Sequence, residues 1–484
     1  MRRVLAANPV RTAFRGLALC AAASAALHTA QAQQPSDANA EDARTERGRY
    51  LVTAGDCRSC HGQDLSGGNP VESPIGYIHA TNITPDRDTG IGTWTLSQFS
   101  AAMREGRSPD GHIFPAMPYT AYTGMSDDDI ETMYDFLMRD TPPVSYTPPP
   151  NDLPLPFRRP AIGIWNTLFL DPGRAPGPDM SDRSAEVQRG RYLVEVLGHC
   201  SSCHTPRGQL MEMRADRHMA GGFVTGWWAP NITSHSEGLG GWSDAELRAY
   251  LTEGHTDRAV ASGEMANVVA NSLAKLSAED MDAVIAYLRA LPPLASSTQG
   301  PPSATAAPDG TLHETFAREL SAGAEMLDGA TLYDGACASC HGRDGRGSPD
   351  GMFPSLHRMD SLKAPSGANL VQVIVNGVDR QVGDGPHYVM PALHDEMSHD
   401  QIAALANYTS ATFGGVDLEL DAATVGDILD GRHGTPWLIL HAPLLFWLGL
   451  GVGTALAVSV VLLWRRRRRS SETAVRPTGA AKRA

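Results

Sequence analysis

Six of the seven cysteines fall in one pattern: CRSCH at 57–61, CSSCH at 200–204 and CASCH at 337–341. The seventh, Cys20, lies in an N-terminal apolar run. Two cysteines three residues apart can form a disulfide, half of a zinc site or a redox dithiol. The histidine that follows at once in every copy decides between these. On a short helix, residues i, i+3 and i+4 share a face. Both thiols can therefore form thioethers to the vinyl groups of a haem while the adjacent imidazole reaches the iron. A dithiol oxidoreductase needs no histidine there, and a zinc site would need ligands paired across motifs. The pattern predicts three covalently bound haem c groups, attached through Cys57 and Cys60, Cys200 and Cys203, and Cys337 and Cys340. His61, His204 and His341 would be axial iron ligands.

The repeat extends beyond the motif. RGRYLVTAGDCRSCHG (47–62) and RGRYLVEVLGHCSSCHTP (189–206) are copies, and DGATLYDGACASCHGRDGRG (328–347) is a more distant one. ATNIT (80–84) answers APNIT (229–233). Each copy closes with a segment that starts at a serine, Ser126, Ser277 or Ser398, followed by acids or glutamine, which is an N-cap signal. Ile130, Met133, Tyr134 and Leu137 make a helical apolar stripe. Each closing helix can pack on the helix before its CxxCH, with Gly48 and Gly190 allowing close approach. Proline-rich joints lie between the copies, and they read as semi-rigid spacers rather than parts of a core. The expected fold is all-α: three tandem haem domains over 45–140, 186–293 and 324–415, joined by linkers over 141–185 and 294–323.

A haem held by histidine alone keeps an open iron site, whereas histidine with methionine closes it and suits electron transfer. Met117, in the proline-bounded FPAMPYTAY, is the sixth-ligand candidate in the first copy, with His112 as its rival. Met390, in HYVMPALHDEMS, repeats the Met-Pro context in the third, and Met265, in ASGEMANVVANS, is the best-placed candidate in the second. Met103, Met133 and Met281 read as core, since methionine is usually filler. Met125 directly precedes the first N-cap, and Met397 holds the same place in the third copy. Trp94, Trp242, Asn82 and Asn231 recur at matching positions, either lining haem pockets or bonding propionates, or else packing a loop.

The two ends give the compartment. Arg2, Arg3, Arg11 and Arg15 precede the apolar run and AQA ends it, the pattern of a secretory signal peptide over 1–32. From Trp437 to Trp464 no side chain is formally charged, and five arginines follow. That run is long enough to span a hydrocarbon core of about 30 Å. It predicts a single-pass transmembrane helix over 437–464, with the tail, 465–484, in the cytoplasm and the haem domains in the periplasm. His441 lies in its first turn, as a helix residue or a quinone contact. Of 40 basic and 54 acidic side chains, the two ends take 12 and 1. The exported body is left with 28 and 53, a formal charge of −25, so nucleic acid is not a partner.

In their order, GDCRSCHG, HATNITPD, FPAMPY, PFRRPAIGIWNTLF, GHCSSCHTPRG, GWWAPNIT, GEMANVV, CASCHGRDGRG and IAALANYTSATFG resemble the three-haem cytochrome c subunits of bacterial membrane-bound dehydrogenases acting on alcohols, gluconate, sorbitol, fructose or aldehydes. The resemblance covers nearly all of residues 45–415. It implies c-type cytochrome domains with His61 and Met117, His204 and Met265, and His341 and Met390 as ligand pairs. It also implies a separate catalytic subunit carrying flavin, pyrroloquinoline quinone or molybdopterin, and ubiquinone in the cytoplasmic membrane as acceptor. A full C-terminal span departs from the amphipathic anchors of many relatives. The chain shows no nucleophile, base or hydride-transfer motif, and GRDGRG at 342–347 follows a haem motif rather than a strand, so it is not a dinucleotide loop. The alternatives are a free-standing membrane-anchored cytochrome feeding a terminal oxidase, and a haem enzyme such as a peroxidase.

Overall fold

This computed structural model describes residues 37–296 and 328–473, apart from 365, 384, 386, 394 and 395. The expected signal peptide lies outside the described residues, as do residues 297–323 of the second linker and 474–484 of the tail. The chain divides into residues 1–47 and residues 48–484. The described part of the first is the opening of a helix over Asp37–Ala54, and the second carries all three motifs.

Each motif copy builds the same series. A helix leads into the short CxxCH turn, a middle helix follows, then a two-stranded hairpin in or after which the ligand candidate lies, and a closing helix ends the series. The middle helices are Leu96–Glu105, Asp244–Glu253 and Ala368–Asn376, and the closing helices begin at Asp127, Ala278 and His399. The three serines cap as expected: Ser126, Ser277 and Ser398 accept from the backbone N–H groups of Asp129, Asp280 and Gln401. The fold is mainly helical, but five antiparallel two-stranded ribbons interrupt it, with strands of two to four residues. Such strands are too short to show alternation, so the all-α expectation passed over them.

Helix packing follows the glycines. A Cβ on Gly48 would stand 2.5 Å from Phe136 Cβ, and one on Gly190 would stand 1.9 Å from the Ala283 carbonyl oxygen. The third copy uses Gly329, 2.2 Å from the Ala404 oxygen, a position that the weaker sequence match concealed. The second copy, RGRYLVEVLGHC, is one residue longer than RGRYLVTAGDC. The extra residue is absorbed as a π-helical turn over Tyr192–Leu197, closed by Gly198 N–H donating to Leu193 O at 2.7 Å.

The first two copies are not beads on a string. They share one core, in which Val52, Ile130 and Met133 join Leu193, Leu197 and Met281. The tyrosines of the two RGRY segments lock it reciprocally. Tyr50 Oη donates to Asp280 Oδ2 at 2.5 Å on the closing helix of the second copy, and Tyr192 Oη donates to Asp129 on that of the first. Arg189 grips Asp280 with two further bonds, at 2.8 and 2.7 Å. The 141–185 segment also departs from a spacer. It holds a helix over Arg159–Phe169, with Pro160 in its first turn. Ala175 and Met180 enter the shared core, and Tyr119 Oη donates to Asn166 Oδ1 at 2.6 Å. Its prolines remove backbone donors while the apolar residues between them still bury, so the segment is a strap.

The third copy has its own core around Leu332, Val371 and Ile402, sealed by a helix over Ala422–Leu429. It is pinned to the second by Asn369, whose amide exchanges two bonds with the Trp228 backbone at 2.8 and 2.9 Å, and by Arg258–Asp360 at 2.7 Å. The last helix, Trp437–Thr473, is long and apolar enough over Trp437–Arg467 to cross a membrane, with a mean hydropathy of 2.1 in its most apolar 18-residue window.

Two outcomes follow. Gly190→Ala is expected to cost about 1–3 kcal/mol through overpacking, lowering the thermal unfolding midpoint of the detergent-solubilised protein. Gly449→Ala, whose Cβ meets nothing within 4 Å, is expected to leave it unchanged. Burial raises the Asp280 carboxyl, but the bonds from Arg189 and Tyr50 outweigh it and hold it below the ordinary carboxylate range. Its stabilisation is therefore complete at neutral pH and is lost as pH falls through that lowered value. Acid unfolding curves of the wild type and Asp280→Asn are expected to converge at low pH and to diverge above it.

Candidate haem sites

Each motif histidine ends a short helical turn and aims its ring the same way. His61 Nδ1 lies 2.6 Å from Thr81 O, His204 Nδ1 2.7 Å from Pro230 O, and His341 Nδ1 3.1 Å from Pro354 O. A carbonyl can only accept, so Nδ1 carries the proton and donates, which leaves Nε2 with a free lone pair. Burial pushes all three imidazoles towards the neutral form, against the hydrogen bond. Neutral and oriented through a backbone carbonyl, they have the second-shell arrangement of metal-ligating histidines.

The carbonyls are themselves fixed. Asn82, next to Thr81, accepts from Thr84 N–H at 2.9 Å and donates to Val144 O at 2.8 Å. Asn231, next to Pro230, repeats this with Thr233 N–H at 2.8 Å and Leu294 O at 2.7 Å. Both asparagines pack a loop, and that packing sets the histidine acceptors; Asn231 also lines the cavity of the second and third motifs. Trp242 lines a haem-sized space, whereas Trp94 packs on the shared core, its carbonyl accepting from Tyr134 Oη at 2.7 Å.

The cysteines show no thiolate chemistry. Among the described residues all six are free of disulfides. Burial pushes Cys57, Cys60 and Cys200 up to about 12 and Cys337 up to about 11, the opposite of what a redox dithiol needs.

The second and third motifs open into one continuous cavity of about 810 Å³, within the size range of sites for bulky ligands. Cys200, Cys203, His204 and Met265 line one part of it, and Cys337, Cys340, His341 and Met390 the other. Met265 sits in the first turn of the Glu264–Asn271 helix, and Met390 ends the strand Tyr388–Met390. Met117 lies in a turn against the shared core, as does Cys57. His112 turns instead towards the strap, where a Cβ on Gly163 would stand 2.6 Å from its Nε2. Met103, Met125, Met133 and Met281 are buried in the core, and Met397 packs on the third core. The first motif reaches the second through Asn271, which bonds Ser59 Oγ at 3.0 Å and Gln63 Nε2 at 2.9 Å from the helix that carries Met265. Cys60 also senses Cys203 electrostatically.

Residues 187–292 match the family model for cytochrome c, and residues 324–408 that for cytochrome c oxidase, cbb3-type, subunit III. The chain is 37% identical to the fructose dehydrogenase cytochrome subunit of Gluconobacter japonicus, over 91% of its own length and 95% of that protein. It is 36% identical to the cytochrome c subunit of the alcohol dehydrogenase (quinone) of Gluconobacter oxydans, over 78% and 80% of the two chains. With the gluconate 2-dehydrogenase cytochrome c subunit of Pantoea cypripedii the identity is 34%, over 78% and 88%. The chain belongs to the family of dehydrogenase cytochrome c subunits. Its work is electron transfer, and covalent haem c is its cofactor.

The free Nε2 atoms, the paired thiols and the cavity all fit that group. For the cytochrome, sequence reasoning missed the carbonyl acceptors Thr81, Pro230 and Pro354, although the NIT repeat marks the first two. Met117→Ala, Met265→Ala and Met390→Ala are each expected to remove about a third of the near-infrared sulfur-to-iron band of the oxidised protein, if each iron contributes equally. Met125→Ala and Met281→Ala are expected to keep it.

Proposed function

We propose that each of the three motif copies holds one haem c, through Cys57 and Cys60, Cys200 and Cys203, and Cys337 and Cys340. The axial pairs are His61 with Met117, His204 with Met265, and His341 with Met390, in domains spanning 45–140, 186–293 and 324–415. The observation that carries this reading is the histidine-to-carbonyl bond, which occurs once in each copy, including the first. Haem bound there supplies reversible one-electron iron chemistry. The chain's own residues fix each ring and close its sixth position, and they hold the three sites in contact through Asn271 and the shared cavity.

The cytochrome takes electrons from a catalytic subunit that carries flavin, pyrroloquinoline quinone or molybdopterin, and delivers them to ubiquinone. The relatives serve fructose, alcohol and gluconate dehydrogenases, and one is a quinone enzyme by name, which supports a CH–OH donor and a quinone acceptor. The Trp437–Thr473 helix anchors the protein in the cytoplasmic membrane. Arg465 to Arg469 stay on the cytoplasmic side, and the acidic body lies in the periplasm.

Purification of the tagged protein from membranes in mild detergent is expected to bring a larger subunit with one of those prosthetic groups, and three haems per chain. Substrate of that subunit should reduce all three haems, and an added quinone analogue should reoxidise them. Replacing the cysteine pair of any one motif by alanine should lower the haem count by one. Two haems in the unaltered chain would overturn the count. A cytochrome isolated alone and oxidised only by a terminal oxidase would overturn the complex.

A further inference from the structure

The cavity shared by the second and third motifs contains a buried positive charge with no carboxylate paired to it among the described residues. Arg380 lines that cavity and is 4% exposed. Its Nη1 donates to the Glu253 carbonyl at 2.7 Å, its guanidinium lies 4.9 Å over the Tyr388 ring, and its Nε has no partner. Glu253 ends the Asp244–Glu253 helix of the second copy, so Arg380 reaches across from the third copy to a helix C-terminus. That end offers only a fraction of a negative charge. Asp360, a carboxylate in the same lining, is held by Arg258 at 2.7 Å and Lys363 at 3.5 Å. The titratable groups beside Arg380 are Tyr250 and Tyr388, with His255 next to Tyr388 at 3.4 Å. Burial pushes the guanidinium below its usual range, and only the two tyrosines oppose it. A buried guanidinium left in this state is strongly unfavourable, so the cavity calls for a carboxylate at this point.

We propose that Arg380 is the counter-ion of a haem propionate, donating its free N–H to a propionate of one of the two haems in the shared cavity. This rests on the reading that the second and third motifs both hold haem. A carboxylate matches the guanidinium fork better than any other group a haem carries, and such charge-assisted bonds are strong. The placement also has a structural logic. Arg380 stands opposite Tyr388 in the hairpin that ends at Met390. One ribbon would thus position both the sulfur ligand of the third haem and the charge that fixes a propionate at the seam with the second copy. Arg380 is then a positioning residue. By neutralising the propionate, it keeps the nearby iron easier to reduce and the propionate ionised across the physiological range.

The test is a potentiometric titration of the full-length, haem-loaded protein in detergent, repeated from mildly acidic to neutral pH, after the haem count has been confirmed. In Arg380→Gln, one midpoint potential is expected to fall. It should also become pH-dependent, rising as pH drops, because the released propionate now protonates in that range. Arg380→Lys, which keeps the charge, is expected to restore the flat profile, and a purely structural tie to Glu253 would not alter that profile. Combining Arg380→Gln with Met265→His or Met390→His, each of which marks its own iron, identifies which haem responds. Unchanged potentials and profiles for all three haems would overturn the proposal while leaving the haem reading intact. A missing second or third haem would instead overturn that reading. If Arg380→Gln does not accumulate, the structure of the native haem-loaded protein decides: a propionate oxygen within hydrogen-bond distance of the guanidinium supports the proposal, and its absence there overturns it.

Discussion

An imidazole can serve as an axial ligand only if one ring nitrogen is left free and aimed, and here backbone carbonyls do the aiming. Thr81, Pro230 and Pro354 each take the Nδ1 proton of a motif histidine. The constraint reaches outward from there. Thr81 and Pro230 precede Asn82 and Asn231, which are buried and tied to the chain that follows each closing helix, at Val144 and Leu294. The position of a histidine is thus coupled, through an asparagine, to the chain just past the end of its own domain, some sixty residues beyond that asparagine. Disturbing that loop would tilt the ring without touching the haem motif.

The sequence repeats also explain how the copies join. RGRY was duplicated with its tyrosine, and each tyrosine now bonds the acid in the first turn of the other copy's closing helix. Duplication alone would give two self-contained domains. The reciprocal exchange gives a single core, and with it a fixed relation between the first two CxxCH motifs. The one-residue insertion in the second copy carries a related consequence. Its π-helical turn buries Glu195, which accepts from Tyr287 Oη at 2.5 Å and faces His218 at 2.7 Å. The first copy has Thr53 or Ala54 in this region and forms no such cluster.

What the sequence made legible was whatever depends on a few residues at short spacing: the CxxCH turns, the serine caps, Gly48 and Gly190, and the uncharged run before the arginines. The core methionines Met103, Met133 and Met281 were also legible from their helical positions. What escaped was whatever depends on long-range partners. Nothing local in TPPVSYTPPPNDLPLPFRRP shows that the segment straps a core, because prolines fix only φ and the loss of donors. Nothing local in the two RGRY segments shows that the Tyr50 and Tyr192 hydroxyls cross between copies. Asn82 and Asn231 were recognised as recurrent, yet composition could not separate packing from pocket lining. Gly329 was hidden because the third copy diverges around it.

The third copy's divergence bears on the relay itself. The first two copies are bound through one shared apolar core and a doubled tyrosine–carboxylate lock, whereas the third keeps its own core and meets the second through Phe223 and Val260, through polar exchanges at Asn369, Arg258 and Arg380, and across an open cavity. A shared apolar core resists sliding, since packed interiors deform little. A polar seam around a cavity can instead be filled by cofactor, so its stability depends on the haems being present. The second copy is therefore the hub: it is held rigidly on one side by protein and on the other by contacts that the bound groups complete. This predicts an order of assembly in which the first two copies can dock before the third is loaded, with the third copy's seam formed last.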